Sequence, residues 1–165
     1  MRLLRAIRHL CTGSLMVRRR FDRQTLAAIE EAVRRAESLH AGQIRFAVEP
    51  GLPLSALWRG QTPRERAIEV FSELRVWDTE HNNGVLIYLL LADRDVEIVA
   101  DRGVAGGVVS AAQWEACCQV MESRFRTGAF REGAIAGIEA VAAVLARHPP
   151  GRAAGNELPD APALL

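Results

Sequence analysis

The amino-acid sequence predicts an α/β fold, a three-layer α/β/α sandwich built around a small mixed sheet. Helical and strand patterns follow one another in the order helix, strand, helix, strand, strand, helix, helix, which is typical of layered α/β domains. One strand candidate, Val85 to Leu91, is apolar throughout, as expected for a strand that is covered on both faces. The length of 165 residues and the hydrophobic content of 49% fit one domain with a genuine core.

The first half of the domain predicts a helix, a strand and a second helix. Asp22 is a suitable N-cap for a helix that runs to about His40 and has apolar residues at helical spacing. Residues 43–49 alternate between apolar and polar side chains, which indicates a strand. The capping box Thr62-Pro63-Arg64-Glu65 indicates where the second helix begins.

The second half predicts a β-hairpin followed by two helices. The strand patterns of residues 85–91 and 96–100 are joined by the short turn Ala92-Asp93-Arg94-Asp95. A second capping box, Ser110-Ala111-Ala112-Gln113, begins the next helix, and the last helix spans about Phe130 to Arg147. The first two strands are therefore expected to be parallel through a right-handed crossover, and the third to be antiparallel to the second.

Composition divides the chain into a basic amphipathic arm over residues 1–20, an α/β domain over residues 21–148 and a tail over residues 149–165. The arm holds six arginines and no acidic residue, whereas acidic residues outnumber basic ones in the rest of the chain. The tail is rich in proline, glycine and alanine, which predicts a flexible segment.

The arm has the spacing of a short amphipathic helix, and two orientations of that helix are open. Its apolar residues recur on one side, with arginines on the other; the apolar residues are Leu3, Leu4, Ile7, Leu10 and Cys11. Basic amphipathic helices of this kind lie on anionic membrane surfaces. In the alternative orientation, the apolar side docks on the domain and the arginines are solvated.

Composition also excludes several classes of function. All 21 basic residues are arginines, which excludes lysine Schiff-base chemistry and lysine-dependent phosphate loops. The net charge of +1 and the few aromatic residues predict no nucleic-acid partner. The three cysteines imply no disulfide framework, and no apolar run reaches the length of a membrane span. The N-terminal segment spreads its arginines among apolar residues instead of placing them ahead of a continuous apolar core, so we expect no cleaved signal peptide. We therefore expect a cytoplasmic protein, peripheral on the inner face of the membrane if the arm binds lipid.

Several short motifs between residues 23 and 147 occur in a recognisable order: Gly42-Gln43-Ile44, Asn83-Gly84-Val85-Leu86, Asp93-Arg94, Gly103, Phe125-Arg126, Gly128, Phe130 and Gly133. Their order and spacing resemble the TPM domain family, which includes bacterial membrane-linked proteins and a thylakoid-lumen protein described as an acid phosphatase. The resemblance implies an α/β/α sandwich. Some members of the family bind divalent cations and have modest phosphatase activity, and the resemblance implies these properties as well.

Polar side chains at the entry to the second strand and the exit of the third are expected to meet at one end of the sheet. Asp78, Glu80 and Asn82 place oxygen atoms two residues apart, and Asp101 lies on the neighbouring strand. Such oxygen atoms suit Ca²⁺ or Mg²⁺, so these four residues are the candidate metal ligands. In the alternative interpretation, the same side chains bind loop backbone groups and shape the entry to the strand.

Asp101 and Arg102 are the catalytic candidates. They would provide an acid and a cation that stabilises the charge developing during phosphate-ester hydrolysis. Two hypotheses for function follow. The first is a TPM-domain protein that binds a divalent cation and has weak phosphatase activity. The alternative is a non-catalytic, membrane-proximal module that presents the domain to a protein partner, whose identity the sequence does not reveal.

Overall fold

The computed structural model describes residues 2–105, 109–148 and 155–165. These residues contain eight helices and four strands. In chain order the elements are α1 Arg2–Cys11, α2 Ser14–Arg20, α3 Arg23–Glu37, β1 Gln43–Glu49, α4 Leu54–Arg59, α5 Pro63–Glu73, β2 Gly84–Leu90, β3 Asp95–Ala100, α6 Arg102–Ala105, α7 Ala111–Arg126, α8 Phe130–Arg147 and β4 Ala163–Leu164.

The four strands form one mixed sheet in the order β3-β2-β1-β4. Strands β1 and β2 are parallel, with Ile44 opposite Val85, and β2 and β3 are antiparallel, with Ile87 opposite Ile98. The predicted parallel crossover and antiparallel hairpin are both confirmed. The crossover contains α4 and α5, which supply the length that a parallel connection requires.

Helices cover both faces of the sheet, which confirms the predicted α/β/α sandwich. Helices α3, α7 and α8 pack on one face, where the core includes Ile29, Phe46, Ile87 and Ile138. On the other face, residues of α4 and α5 pack against Leu86 and its neighbours. Every residue of β2 is buried, as its uninterrupted apolar sequence predicts.

The predicted helix starts are present. The Asp22 side chain accepts a hydrogen bond from the Thr25 backbone N–H at 2.8 Å. Thr62 and Ser110 each form a reciprocal capping box, with Glu65 and Gln113 respectively. Among residues 2–105, 109–148 and 155–165, no helix is both long and apolar enough to cross a bilayer.

The tail differs from the flexible segment predicted for residues 149–165. Residues 149–154 lie outside the described residues, but residues 155–165 run along the edge of β1 and end in β4. Leu158 and Ala163 are buried in the core on the α5 side of the sheet. The N–H groups of Glu157 and Leu158 donate to Gln43 Oε1, and Arg45 donates to the Pro159 carbonyl oxygen. These contacts hold the segment against β1, and they leave no pattern in its sequence.

Candidate functional site

The two connections that were predicted to meet at one end of the sheet do meet. The Asp101 N–H donates to the Gly84 carbonyl oxygen at 2.8 Å, and the Gly103 N–H donates to the Asn82 carbonyl oxygen at 2.9 Å. A side chain at Gly103 would place its Cβ 2.5 Å from the carbonyl oxygens of His81 and Asn82. Glycine at this position therefore permits the close approach of the two loops.

Arg102 fills the space between the loops. Its guanidinium donates from Nε and Nη2 to Asn82 Oδ1, at 3.1 and 2.9 Å. Asp101 Oδ1 accepts from the Arg102 backbone N–H at 2.8 Å, whereas Asp101 Oδ2 is buried and has no hydrogen-bond partner among the described residues. The structure thus brings three of the predicted site residues together, Asn82, Asp101 and Arg102.

The other two predicted ligands do not join this group. Asp78 and Glu80 are exposed, and within the described ranges no three His, Cys, Asp or Glu side chains form a group that could hold a metal ion. Ca²⁺ takes six to eight oxygen ligands. Of the four predicted ligands, Asp101 and Asn82 lie on the two loops that meet, and Asn82 Oδ1 already accepts two hydrogen bonds from a guanidinium. The arrangement therefore does not fit an assembled divalent-cation site.

Several polar residues of the loop bind backbone groups. The Thr79 hydroxyl accepts from the Asn83 N–H at 3.0 Å, and the buried Asn83 side chain donates to the Ala41 carbonyl oxygen. Asn82 has a φ of 51°, in the left-handed region that asparagine tolerates better than most residues. These contacts agree with the interpretation in which the polar loop shapes the entry to β2.

A second cluster lies at the opposite end of the sheet, where α1 contacts the turn between β2 and β3. Two arginines of α1 bind the Asp93 carboxylate, Arg5 at 2.9 Å and Arg8 at 2.7 Å. His9 Nε2 lies 3.2 Å from the same carboxylate. Three side chains of one helix therefore converge on a single acidic residue.

His9 also fixes the position of α1 over the loop after β1. Its Nδ1 accepts a hydrogen bond from the Leu52 N–H at 2.9 Å, so the ring proton of the neutral imidazole is on Nε2, facing Asp93. Burial lowers the pKa of His9, and the opposing attraction of Asp93 does not cancel this effect. The ring thus binds the loop after β1 and lies against Asp93 in the turn between β2 and β3.

The apolar side of α1 faces solvent. Leu3 and Leu4 are 74% and 73% exposed, and Leu10 is 64% exposed. The orientation in which this side docks on the domain is therefore wrong, since the basic side provides the contacts instead. Both sides of the helix are visible in the sequence, but the contact between its polar side and Asp93 was not predicted. The only sequence signal was the opposite charge of the arm and of the rest of the chain.

A buried polar network that the sequence did not predict lies near the same end of the sheet. The Tyr88 hydroxyl donates to Glu49 Oε2 at 2.6 Å, and Arg66 Nε donates to the same oxygen at 2.9 Å. Arg66 also binds Glu69 and Glu73 on α5. Burial and the Glu49 carboxylate raise the pKa of Tyr88 far above its usual range. The hydroxyl stays protonated, so the network attaches α5 to the sheet.

The fold and the two ends of its sheet define a small α/β/α sandwich domain with an amphipathic arm docked through its polar side. The sequence profile of the TPM domain matches residues 18–144, so the chain belongs to the TPM domain family, as the motif resemblance predicted.

Solved structures are similar to this chain. The NMR structure of the BA42 protein from the psychrophilic bacterium Bizionia argentinensis is 30% identical, with a TM-score of 0.74 over 86% of this chain and 93% of that one. The N-terminal domain of a protein from P. gingivalis is 24% identical, with a TM-score of 0.55 over 74% of this chain and 76% of that one, a likeness that shows the fold alone. No curated protein matches the chain.

Proposed function

We propose that this TPM-domain protein is a peripheral module that docks on an anionic membrane surface through α1 and α2. The single observation that carries the proposal is the orientation of α1. An amphipathic helix that only completes a globular core turns its apolar side inward. Here Arg5 and His9 face the domain, while Leu3, Leu4 and Ile7 face solvent.

The exposed apolar side of α1 continues onto α2 and α4. Leu10 lines the same depression as Leu15 and Met16 of α2, both of which are exposed. Leu3 of α1 lines another depression together with Trp58 of α4, which is 85% exposed. We call this surface the arm face. A continuous exposed apolar surface of this kind marks a binding surface for a membrane or a protein.

Charge favours an anionic membrane as the occupant of the arm face. Arg18 and Arg19 at the end of α2 are exposed and form no ion pair among the described residues. Each arginine held near an anionic bilayer contributes about 1 kcal/mol of attraction. Tryptophan is enriched at the level of lipid headgroups, where its ring is partly apolar and partly wet, and Trp58 has that exposure. Since the cytoplasmic leaflet carries the anionic lipids, docking would place the protein on the inner face of the membrane.

Cosedimentation of the full chain with vesicles tests this proposal. We expect wild type to pellet with phosphatidylcholine vesicles that contain phosphatidylserine and to pellet much less with phosphatidylcholine alone. The double variant L4E/I7E should lose about tenfold or more of its partitioning, because it places two charges on the bilayer side. The matched control L39E/I68E also replaces two exposed apolar residues. Leu39 lies just after α3 and Ile68 lies on α5, so this variant should pellet like wild type.

Two results would contradict membrane docking. Unchanged pelleting of L4E/I7E would show that the arm face does not contact lipid. A dimer in gel filtration that L4E/I7E abolishes, together with no pelleting of wild type, would assign the arm face to contacts between copies of the chain.

A second candidate function is binding of Ca²⁺ or Mg²⁺ at the Asp101 end of the sheet. The observation in its favour is the buried Asp101 Oδ2, which has no partner among the described residues. Binding would require Arg102 to leave Asn82 and would require Asp78 and Glu80 to move inward. Asp101 and Arg102 would then serve phosphate-ester hydrolysis only if a cation binds first.

Calorimetric titration of CaCl₂ and MgCl₂ tests this second candidate. Cation binding predicts saturable heat with wild type and with the control E132Q, which alters an exposed carboxylate on α8, and no heat with D101N. Saturable heat should be accompanied by cation-dependent hydrolysis of p-nitrophenyl phosphate that R102A reduces. Absence of heat with wild type would exclude the site.

A further inference from the structure

We propose that an arginine cluster beside the loop between α7 and α8 binds the phosphate group of an anionic lipid, with a preference for a phosphomonoester headgroup such as that of phosphatidic acid. The cluster consists of Arg20, Arg94 and Arg124, and we call it the headgroup patch. The inference rests on the proposed membrane docking and names the lipid chemistry that the docked protein selects.

The headgroup patch borders the arm face. Arg20 is the last residue of α2, the helix that carries Leu15 and Met16 of the arm face. Arg94 directly follows Asp93, whose carboxylate binds α1. A bilayer that contacts α1 and α2 therefore comes close to both arginines, so the arm face and the headgroup patch act on the same membrane.

Two of these arginines come from distant parts of the chain and meet the same short loop. The Arg94 guanidinium donates to the Arg126 carbonyl oxygen at 3.3 Å, where α7 ends. Arg20 Nη1 lies 3.8 Å from the position that a Cβ at Gly128 would take. The guanidinium carbon of Arg20 lies 5.2 Å from the centre of the Phe130 ring, where α8 begins. Both guanidinium groups therefore lie beside this loop.

The groups that hold the three arginines are neutral. Arg20 contacts an aromatic ring, and Arg94 and Arg124 each donate to a backbone carbonyl oxygen of α7, at 3.3 and 3.0 Å. All three residues are exposed, and within the described ranges none of them has a carboxylate oxygen within 4.0 Å. On α7, Glu122 pairs with Arg126 instead, at 3.0 Å. The protein therefore leaves the positive charge of the headgroup patch without a partner among these residues.

Unpaired guanidinium groups of this kind suit a phosphate more than other anions. A guanidinium presents its N–H donors as a planar fork that binds two phosphate oxygens at once. A phosphomonoester carries about 1.5 to 2 negative charges at neutral pH and three terminal oxygens, whereas the phosphodiester of phosphatidylserine carries a single charge. Three arginines around one loop match the group with more charge and more acceptors. Because the patch borders the arm face, the occupant that we infer is a lipid and not the free phosphate ion.

Cosedimentation of the full chain with two anionic vesicles tests this selection. One vesicle contains phosphatidylserine and the other contains phosphatidic acid, both in phosphatidylcholine and both adjusted to the same zeta potential, so that long-range attraction is equal. The readout is the ratio of the two partition coefficients. We expect wild type to favour phosphatidic acid by about fivefold or more, because only the phosphomonoester engages several guanidinium groups.

Variants that remove equal charge keep the test specific. R20Q/R94Q should bring the ratio close to one, because two of the three guanidinium groups are lost. The matched control R35Q/R147Q also removes two exposed arginines, in the last turns of α3 and α8, and should keep the wild-type ratio. Since Arg20 also packs on Phe130, R94Q alone provides a second test and should lower the ratio by about twofold.

The outcomes separate this inference from membrane docking itself. Equal partitioning of wild type into both anionic vesicles, or an unchanged ratio in R20Q/R94Q, would overturn the headgroup selection and leave docking through the arm face intact. Loss of the preference in millimolar inorganic phosphate at constant ionic strength would assign the patch to the free ion and overturn it as well. No pelleting of wild type with either vesicle would contradict docking, and the inference with it.

Discussion

Replacement of Glu37 by glutamine should stabilise the protein above neutral pH. Glu37 lies in the last turn of α3, is half-buried, and its Oε1 accepts a hydrogen bond from the Ile44 N–H at 2.7 Å. Burial raises the pKa of Glu37 to about 7, and the nearby Asp160 carboxylate acts in the same direction. Glutamine keeps an oxygen that can accept the Ile44 hydrogen bond but carries no charge, so E37Q removes only the cost of the buried carboxylate.

The sign and size of this effect follow from the pKa. The folded state binds the Glu37 proton more tightly than the unfolded state, so the free energy of unfolding falls as pH rises from about 4.5 to about 7. One pKa unit corresponds to about 1.36 kcal/mol, which sets an upper bound of about 3.4 kcal/mol for a rise of this size. Because Glu37 is only half-buried, solvent screening reduces the expected gain at pH 8 to about 1 to 2 kcal/mol.

Urea denaturation at pH 8 and at pH 5 measures the difference. The free energy of unfolding of E37Q should exceed that of wild type at pH 8, and most of the gain should vanish at pH 5, where Glu37 is largely protonated. The control E31Q alters an exposed glutamate on the same helix and should change stability by less than about 0.5 kcal/mol at either pH. An E37Q protein that is less stable than wild type at pH 8, or equally stabilised at both pH values, would refute the reasoning.

Two further substitutions test packing and the buried network. A Cβ at Gly84 would lie 1.9 Å from the Val76 carbonyl oxygen, so G84A should lower the free energy of unfolding by about 3 kcal/mol. A Cβ at Gly13 would have no atom within 4 Å, so the control G13A should change the free energy of unfolding by less than about 0.5 kcal/mol. Y88F removes the donor to Glu49 and should cost about 1 to 2 kcal/mol in urea denaturation; unchanged stability would show that the hydroxyl contributes nothing.

The main body of the fold could be predicted because its signals are local. The capping residues Asp22, Thr62 and Ser110 begin helices through contacts within one turn, and such contacts are visible in a short stretch of sequence. The apolar run of β2 indicated burial on both faces, and chain order then determined the parallel crossover. Strand orientation in turn predicted that the loops around Asn82 and Asp101 would meet, as they do.

The side-chain contacts at that end of the sheet could not be predicted in the same way. Strand orientation brings the loop of Asn82 close to Arg102, but it does not determine which side chain fills the gap. The guanidinium of Arg102 takes the Asn82 oxygen that the predicted cation would need. An asparagine oxygen that accepts from a neighbouring guanidinium and one that binds a metal ion have the same position in a sequence.

The orientation of the arm shows why a helical pattern alone does not predict a surface. Arg8 and His9 lie three and four positions after Arg5, so the three side chains share one side of α1. All three reach the Asp93 carboxylate. Asp93 is more than eighty residues away in sequence, and no local pattern links it to the arm. Once that carboxylate holds the basic side of the helix, the apolar side must face outward. A helix that leaves its leucines in water while its arginines are bound lacks a partner for the apolar side, and for this reason L4E/I7E should affect lipid binding without disturbing the contacts to Asp93.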